Sequence, residues 1–161
     1  DGSGLIRADG VEADLADAAS MLAGDPVQKA ITAYRAGRVP AGDTHERLWL
    51  VPYLLEAMAD RYPSSRRFAQ HSLMRILEDL PPAEFEPLKT ELSTFDFIAD
   101  ATARTAAIER LRGLWADIDR SGWPLPPPAS GLKAGYTLPS ALAQRLRELG
   151  ARQDKQISIG E

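Results

Sequence analysis

The chain of 161 residues contains no cysteine. That absence excludes disulfides, thiolate nucleophiles, iron–sulfur clusters, thiolate zinc sites and covalently attached c-type haem within it. It leaves the compartment open, because a cysteine-free domain is stable in oxidising and reducing surroundings alike. Histidine is scarce too: His45 and His71 are the only two. No second histidine follows His45-Glu46 four residues on, so the helical zinc-protease pattern is missing. No apolar run approaches the roughly 20 residues needed to span a bilayer, and no signal-peptide pattern follows Asp1. A positive excess is also lacking. Lysine plus arginine number 19 against 23 aspartates and glutamates, a net charge of −4, which is the wrong sign for a dedicated nucleic-acid binder.

What is present is ordinary for a globular protein: 44% hydrophobic and 26% charged residues, enough to exclude wholesale disorder. A chain of this length makes one domain that buries roughly two-thirds of its unfolded surface. The opening Asp1-Gly2-Ser3-Gly4 reads as the edge of a piece of a longer protein.

Helical periodicity runs almost throughout. Leu15, Ala18, Ala19 and Leu22 share one helix face over 12–23. Asp25-Pro26 restarts a helix with a capping carboxylate and a proline at the first position. Its predicted inward face is Val27, Ala30, Ile31 and Tyr34, and Gly37 is its stop. Asp43-x-x-Glu46 opens a third helix as a capping-box variant, with Leu48, Val51, Leu55 and Met58 inward. Tyr62-Pro63 starts a fourth over 63–78, with Phe68, Ala69, Leu73, Ile76 and Leu77 inward. A shorter helix over 83–92 follows Pro81-Pro82, and Phe95-Asp96-Phe97 is expected as a turn that buries its rings. The next helix, over 100–120, carries Ile108, Leu111, Leu114, Trp115 and Ile118. Residues 123–131 contain four prolines, which predicts an extended strap. A last amphipathic helix is expected over 138–149, with an extended or unstructured tail at 156–160. No alternating stretch is long enough for a sheet. The predicted fold is therefore all-α: a helical repeat domain over 1–122, a strap over 123–137, and a C-terminal helix and tail over 138–161 packed on the same domain.

The helices come in pairs. Asp25, Asp60 and Asp96 lie near successive inter-helix turns, a period of about 35 residues that marks an α-solenoid. Within the middle unit, Leu50 to Leu73, a proline inside the first helix is followed by an aspartate eight residues on. An arginine comes six residues later, just before a small residue. Pro52, Asp60, Arg66 and Ala69 fit that spacing, and the unit resembles a HEAT repeat. The resemblance implies a short right-handed α–α superhelix of two or three pairs, with Pro52 kinking its helix. It also implies that Asp60 and Arg66 bond to backbone or to the next repeat. The same stretch is similar to HEAT modules at the C-terminal end of bacterial multihaem c-type cytochromes involved in electron transfer. In that context any haem lies in another part of the parent and the compartment is periplasmic; otherwise it is cytoplasmic.

Lys29, Arg35, Arg38, Arg61, Arg66, Arg67 and Arg75 gather around the second and fourth helices. In a solenoid such helices line one surface, so these cations form a stripe suited to an acidic peptide or anionic group, or simply a solvated face. Arg35, Arg66, Arg67 and His71, with Trp49 and Trp123 as exposed tryptophans, are the candidate partner contacts; the alternative is that both tryptophans are core, with the strap packing Trp123 over its own end of the solenoid. Glu56, Asp60, Glu78 and Asp79 form no pair that the sequence places at catalytic spacing. The expected function is non-catalytic, the recognition of a protein partner or of another domain of the parent, with no cofactor, metal, nucleic acid or membrane insertion. A small helical enzyme or ligand-binding domain using the groove around Arg66, Arg67 and His71 is the alternative.

Overall fold

The computed structural model describes residues 18–38 and 44–158, apart from the side chains of 44–46, 129 and 156–158. Leu15, Asp43, the side chain of His45 and the end of the tail therefore lie outside the described residues. The fold is all-α. Residues 18–23 form α1, followed by α2 (Pro26–Ala36), a 3-10 helix (Thr44–Leu50), α3 (Val51–Ala57), α4 (Pro63–Glu78), α5 (Pro82–Ser93), α6 (Ala101–Ala116) and α7 (Ser140–Ser158). No strand occurs among the described residues; a lone antiparallel bridge joins Lys133 and Thr137.

Local chemistry sets most boundaries. Asp25 caps α2 by accepting from the Val27 and Gln28 amides, and the Gln28 side chain accepts from the Asp25 amide, a reciprocal capping box. Asp100 caps α6 through the Ala103 amide. Proline occupies the first turn of α2, α3, α4 and α5, where its missing N–H leaves no helical bond unmade.

The start of α3 changes the sequence expectation in two ways. Pro52 does not kink a long helix. It sits at the junction where the 3-10 segment becomes α3, so no interior hydrogen bond is lost. Trp49, expected beside the apolar stripe and exposed, is buried at 6% exposure with its ring edge-on to Tyr53 at 6.3 Å. Arg47, Leu48, Trp49 and Leu50 are all buried, so this segment, at three residues per turn, is covered on every side and leaves Trp49 no outward position.

The core runs through α3, whose Val51, Tyr53, Leu54, Leu55 and Ala57 are all buried, and on to Leu73 and Leu77 of α4. Around it α2 packs on α4, α3 on α4 and α6, and α5 on α4 and α6. Lys29 of α2 pairs with Asp60 ahead of α4, Tyr34 meets Phe68, and Gly37 lies against Ser72. Residue numbers rise together along the two helices, so α2 and α4 run parallel.

The strap closes the α5–α6 end. Trp123 stacks on Phe85 at 6.2 Å and contacts Trp115 and Tyr136 at 5.7 and 5.4 Å. Arg120 lies over the Trp115 ring and donates to the Trp115 carbonyl, and burial pushes its guanidinium below the usual pKa. Tyr136 holds a left-handed φ of 54°, sparse for an aromatic residue, while its hydroxyl donates to the Pro124 carbonyl at 2.8 Å. Trp123 is thus half-buried packing material rather than an exposed contact. Two helix ends also move. α6 stops at Ala116 rather than 120, whereas α7 continues through Gly150 to Ser158, well past the expected end at 149.

Candidate docking surface

The largest departure from the expected pattern lies on α2. Its apolar set, predicted to face inward, faces out: Val27 is 65% exposed, Ile31 49% and Tyr34 36%. The buried side is Lys29, Thr32, Ala33 and Ala36. The reason is the seam with α4. Ser72 donates to the Ala33 carbonyl at 2.5 Å, and a Cβ on Gly37 would come within 2.7 Å of the Ser72 backbone. Helices this close admit only small residues between them, so the alanine–glycine face turns inward. Gly37 itself has an ordinary right-handed φ of −77°; it is required for space, not for conformation.

The outward face of α2 meets that of α4. Tyr34 contacts Phe68 edge-on at 5.5 Å. A furrow of about 350 Å³ opens beside them, lined by Arg67, Gln70, His71, Met74 and Phe97 as well. It continues past His71 and Met74 into a second furrow of about 390 Å³ bounded by Arg75, Glu78, Lys89 and Leu92. Ile98, 69% exposed, stands next to Phe97 in the α5–α6 turn. Gln70 is fixed here because its amide donates to the Leu92 and Phe95 carbonyls at 2.9 and 3.0 Å.

The cations of the predicted stripe divide into buried and exposed ones, and of the exposed ones Arg61 lies 4.0 Å from Asp154 and over the Tyr62 ring. Lys29 and Arg66 are buried. Arg66 donates through Nε to the Phe97 carbonyl at 2.7 Å and through one terminal nitrogen to the Asp60 and Arg61 carbonyls, each at 2.8 Å. It ties the α3–α4 turn to the α5–α6 turn and, buried there, is a structural tie rather than the expected partner contact. Burial first, then the charge of Arg104, pushes its guanidinium below the usual pKa, with Asp60 opposing. Lys29 Nζ lies 3.1 Å from Asp60 Oδ2 and 3.6 Å from Asp154 Oδ2. Asp60 also accepts from the Tyr62 amide at 2.9 Å, and Ala69 is fully buried.

Arg35, Arg38, Arg67 and Arg75 are exposed, as is His71. Arg38 lies over the Tyr34 ring at 4.5 Å and Arg67 over the Phe97 ring at 5.8 Å. Among the described residues, Arg38, Arg67 and Arg75 make no ion pair. On other faces charges are matched internally: Arg110 with Glu91, and Arg112 and Arg147 with the two oxygens of Glu56. The four candidate carboxylates are not gathered. Glu56 serves those two arginines, Asp60 serves Lys29, Asp79 lies 3.8 Å from Arg47, and Glu78 edges the second furrow.

Sequence reasoning missed Met74, Ile98 and the outward side of α2 as parts of this surface. One signal was available. Residues 26–38 and 63–77 carry Lys29, Arg35, Arg38, Arg66, Arg67 and Arg75 and no carboxylate at all. Comparison with known protein families, curated proteins and solved structures finds no match.

Proposed function

We propose that this chain is a non-catalytic docking domain that binds a protein partner, or another domain of its parent, across the outer faces of α2 and α4. The observation that carries this reading is the combination of outward Val27, Ile31, Tyr34 and Met74 with internally unpaired arginines. Contiguous exposed apolar surface on a chain with a full core marks an interaction site. The paired helices whose turns hold Asp25, Asp60 and Asp96, and the parallel run of α2 and α4, support a HEAT-like stack that presents such a face. The resemblance to cytochrome-associated modules would make the partner a neighbouring domain of an electron-transfer protein.

A second reading is favoured by the aromatic lining of the furrow. Tyr34, Phe68 and Phe97 with Arg67 and His71 suit a small aromatic anion. Photo-crosslinking separates the two. With p-benzoylphenylalanine placed at 31 or 74 in cells that express the parent chain, docking gives a discrete protein adduct at both positions and none at exposed position 105 of α6. Absence of adducts, together with a co-purifying small molecule in native mass spectrometry, overturns the docking reading.

A further inference from the structure

We infer that the occupant of the α2–α4 furrow is an acidic amphipathic helix; this rests on the docking reading above. Three features of the surface fix its chemistry. The first is spacing. Along the furrow Arg67, His71 and Met74 of α4 stand at i, i+4, i+7, with Tyr34 of α2 at one end and Lys89 and Leu92 of α5 across from His71 and Met74. This row extends about 10 Å along α4. A further helix laid along it packs its own i, i+3/i+4, i+7 ridge against such a row.

The second feature is what the walls lack. No strand edge is present among the described residues, and the backbone of both walls is committed to its own helical bonds. An extended peptide would leave its N–H and C=O groups without partners there, whereas a helix satisfies them itself.

The third is charge. Arg67, Arg75 and Lys89 line the furrow against the single carboxylate of Glu78, with Arg38 over the Tyr34 ring at its end, and Arg38, Arg67 and Arg75 make no ion pair among the described residues. The chain as a whole carries −4, so this face is set against the sign of the rest. Glutamates or aspartates flanking the apolar ridge of the docked helix would meet these arginines, some of which already lie over aromatic rings. The floor is a recess rather than a protruding ridge, which favours an inserted helix over a flat lipid surface.

The probe is a fluorescein-labelled, hydrocarbon-stapled 15-residue peptide with leucines at i, i+4, i+7 and i+11 flanked by glutamates. Fluorescence anisotropy is read against the same peptide with lysines for glutamates and against one with scrambled leucines. The expected result is binding to the acidic helix at least tenfold tighter than to either comparator, weakening as salt rises. Arg67→Glu and Met74→Glu should each weaken it at least fivefold, and Arg145→Glu on the outer face of α7 should leave it unchanged. All three positions are exposed, and circular dichroism verifies that the variants fold. Equal binding of the scrambled peptide, insensitivity to both furrow variants, or capture of phosphatidylserine vesicles that the peptide does not displace overturns the inference. Crosslinks at 31 and 74 that the acidic helix fails to compete away sink the helix assignment alone. Absence of both crosslinks and peptide binding sinks the docking reading with it.

Discussion

The α2–α4 seam and the seat of α7 hold helices to the same core by different means. Between α2 and α4 the contact is close and neutral: small buried residues Ala33, Ala36 and Gly37 face α4, and the Ser72 hydroxyl is shared between the Ala33 and Tyr34 carbonyls. α7 buries little beyond Ala143, Leu146, Gly150 and Asp154, and it is pinned by Arg147 to Glu56 at 2.7 Å and by Asp154 to Lys29. A close-packed seam resists salt and tolerates no added atom. A charge-pinned seat depends on a few partners, and Arg147 is half exposed, where such pairs are worth about 0–1 kcal/mol. The molecule therefore has a rigid side that carries the furrow and a side secured by a handful of contacts.

Lys29 is common to both regions, and removing it is the strongest way to break the distinction. Lys29→Met leaves Asp60 without its cation and Asp154 with only the largely exposed Arg61, 4.0 Å away, and should lower stability by about 3 kcal/mol. Urea unfolding should show this loss, and hydrogen exchange should place faster opening in both α4 and α7. A loss below about 1 kcal/mol, or one confined to α7, would show that the buried ammonium is not shared between the two regions.

The two glycines at the seams sharpen the contrast. Inside a helix alanine is favoured over glycine by about 1 kcal/mol, yet Gly150 within α7 is blocked, as is Gly37 at the cap of α2. A Cβ at Gly37 would lie 2.7 Å from the Ser72 Cα, and one at Gly150 2.3 Å from the Leu22 carbonyl oxygen. Gly37→Ala should cost about 2 kcal/mol of global stability. Gly150→Ala should lift α7 with a smaller global cost of about 1 kcal/mol, seen as exchange confined to 140–158. If Gly150→Ala stabilises the protein instead, its intrinsic helix preference has outweighed the docking of α7.

The smallest effect concerns the strap that leads to α7. Tyr53 of α3 donates its hydroxyl to the Ser130 carbonyl, and burial pushes its pKa above the ordinary 10.0. The fold thus favours the protonated phenol. Its contribution is fully present below the ordinary value and drains away as pH rises through the higher folded value. Tyr53→Phe should flatten part of the stability loss above pH 10 in pH-resolved melting, and leave a remainder from Tyr136, which is shifted the same way. An unchanged alkaline limb would exclude Tyr53 as a source.

Much of this architecture was legible because its signals are local. Asp25-Pro26, Tyr62-Pro63 and Asp100 mark helix starts through caps and fixed φ angles, and each helix begins there. The orientation of α2 was not legible. Periodicity identifies an apolar face, but the choice of which face turns inward came from the space available beside Ser72, a residue 35 positions beyond Gly37. α7 was under-read for a similar reason. Gly150 and the polar residues after it look like a stop until Leu22 and Lys29 are seen to require a bare backbone and a carboxylate there. Within the stripe, sequence could gather Arg66 and Arg67 but not divide them, since adjacent helix positions point about 100° apart.

The 3-10 segment ahead of α3 places a particular constraint on how this chain can vary. Leu48, Trp49 and Leu50 are all buried just before Pro52 locks the first turn of α3. Exchanging one of these side chains for another of similar volume alters only local packing. Adding or deleting a single residue there would rotate everything before it by about 120°, carrying each side chain into a buried niche shaped for its neighbour. In this stretch length is under tighter control than composition, and related chains should differ there by substitution and hardly ever by insertion.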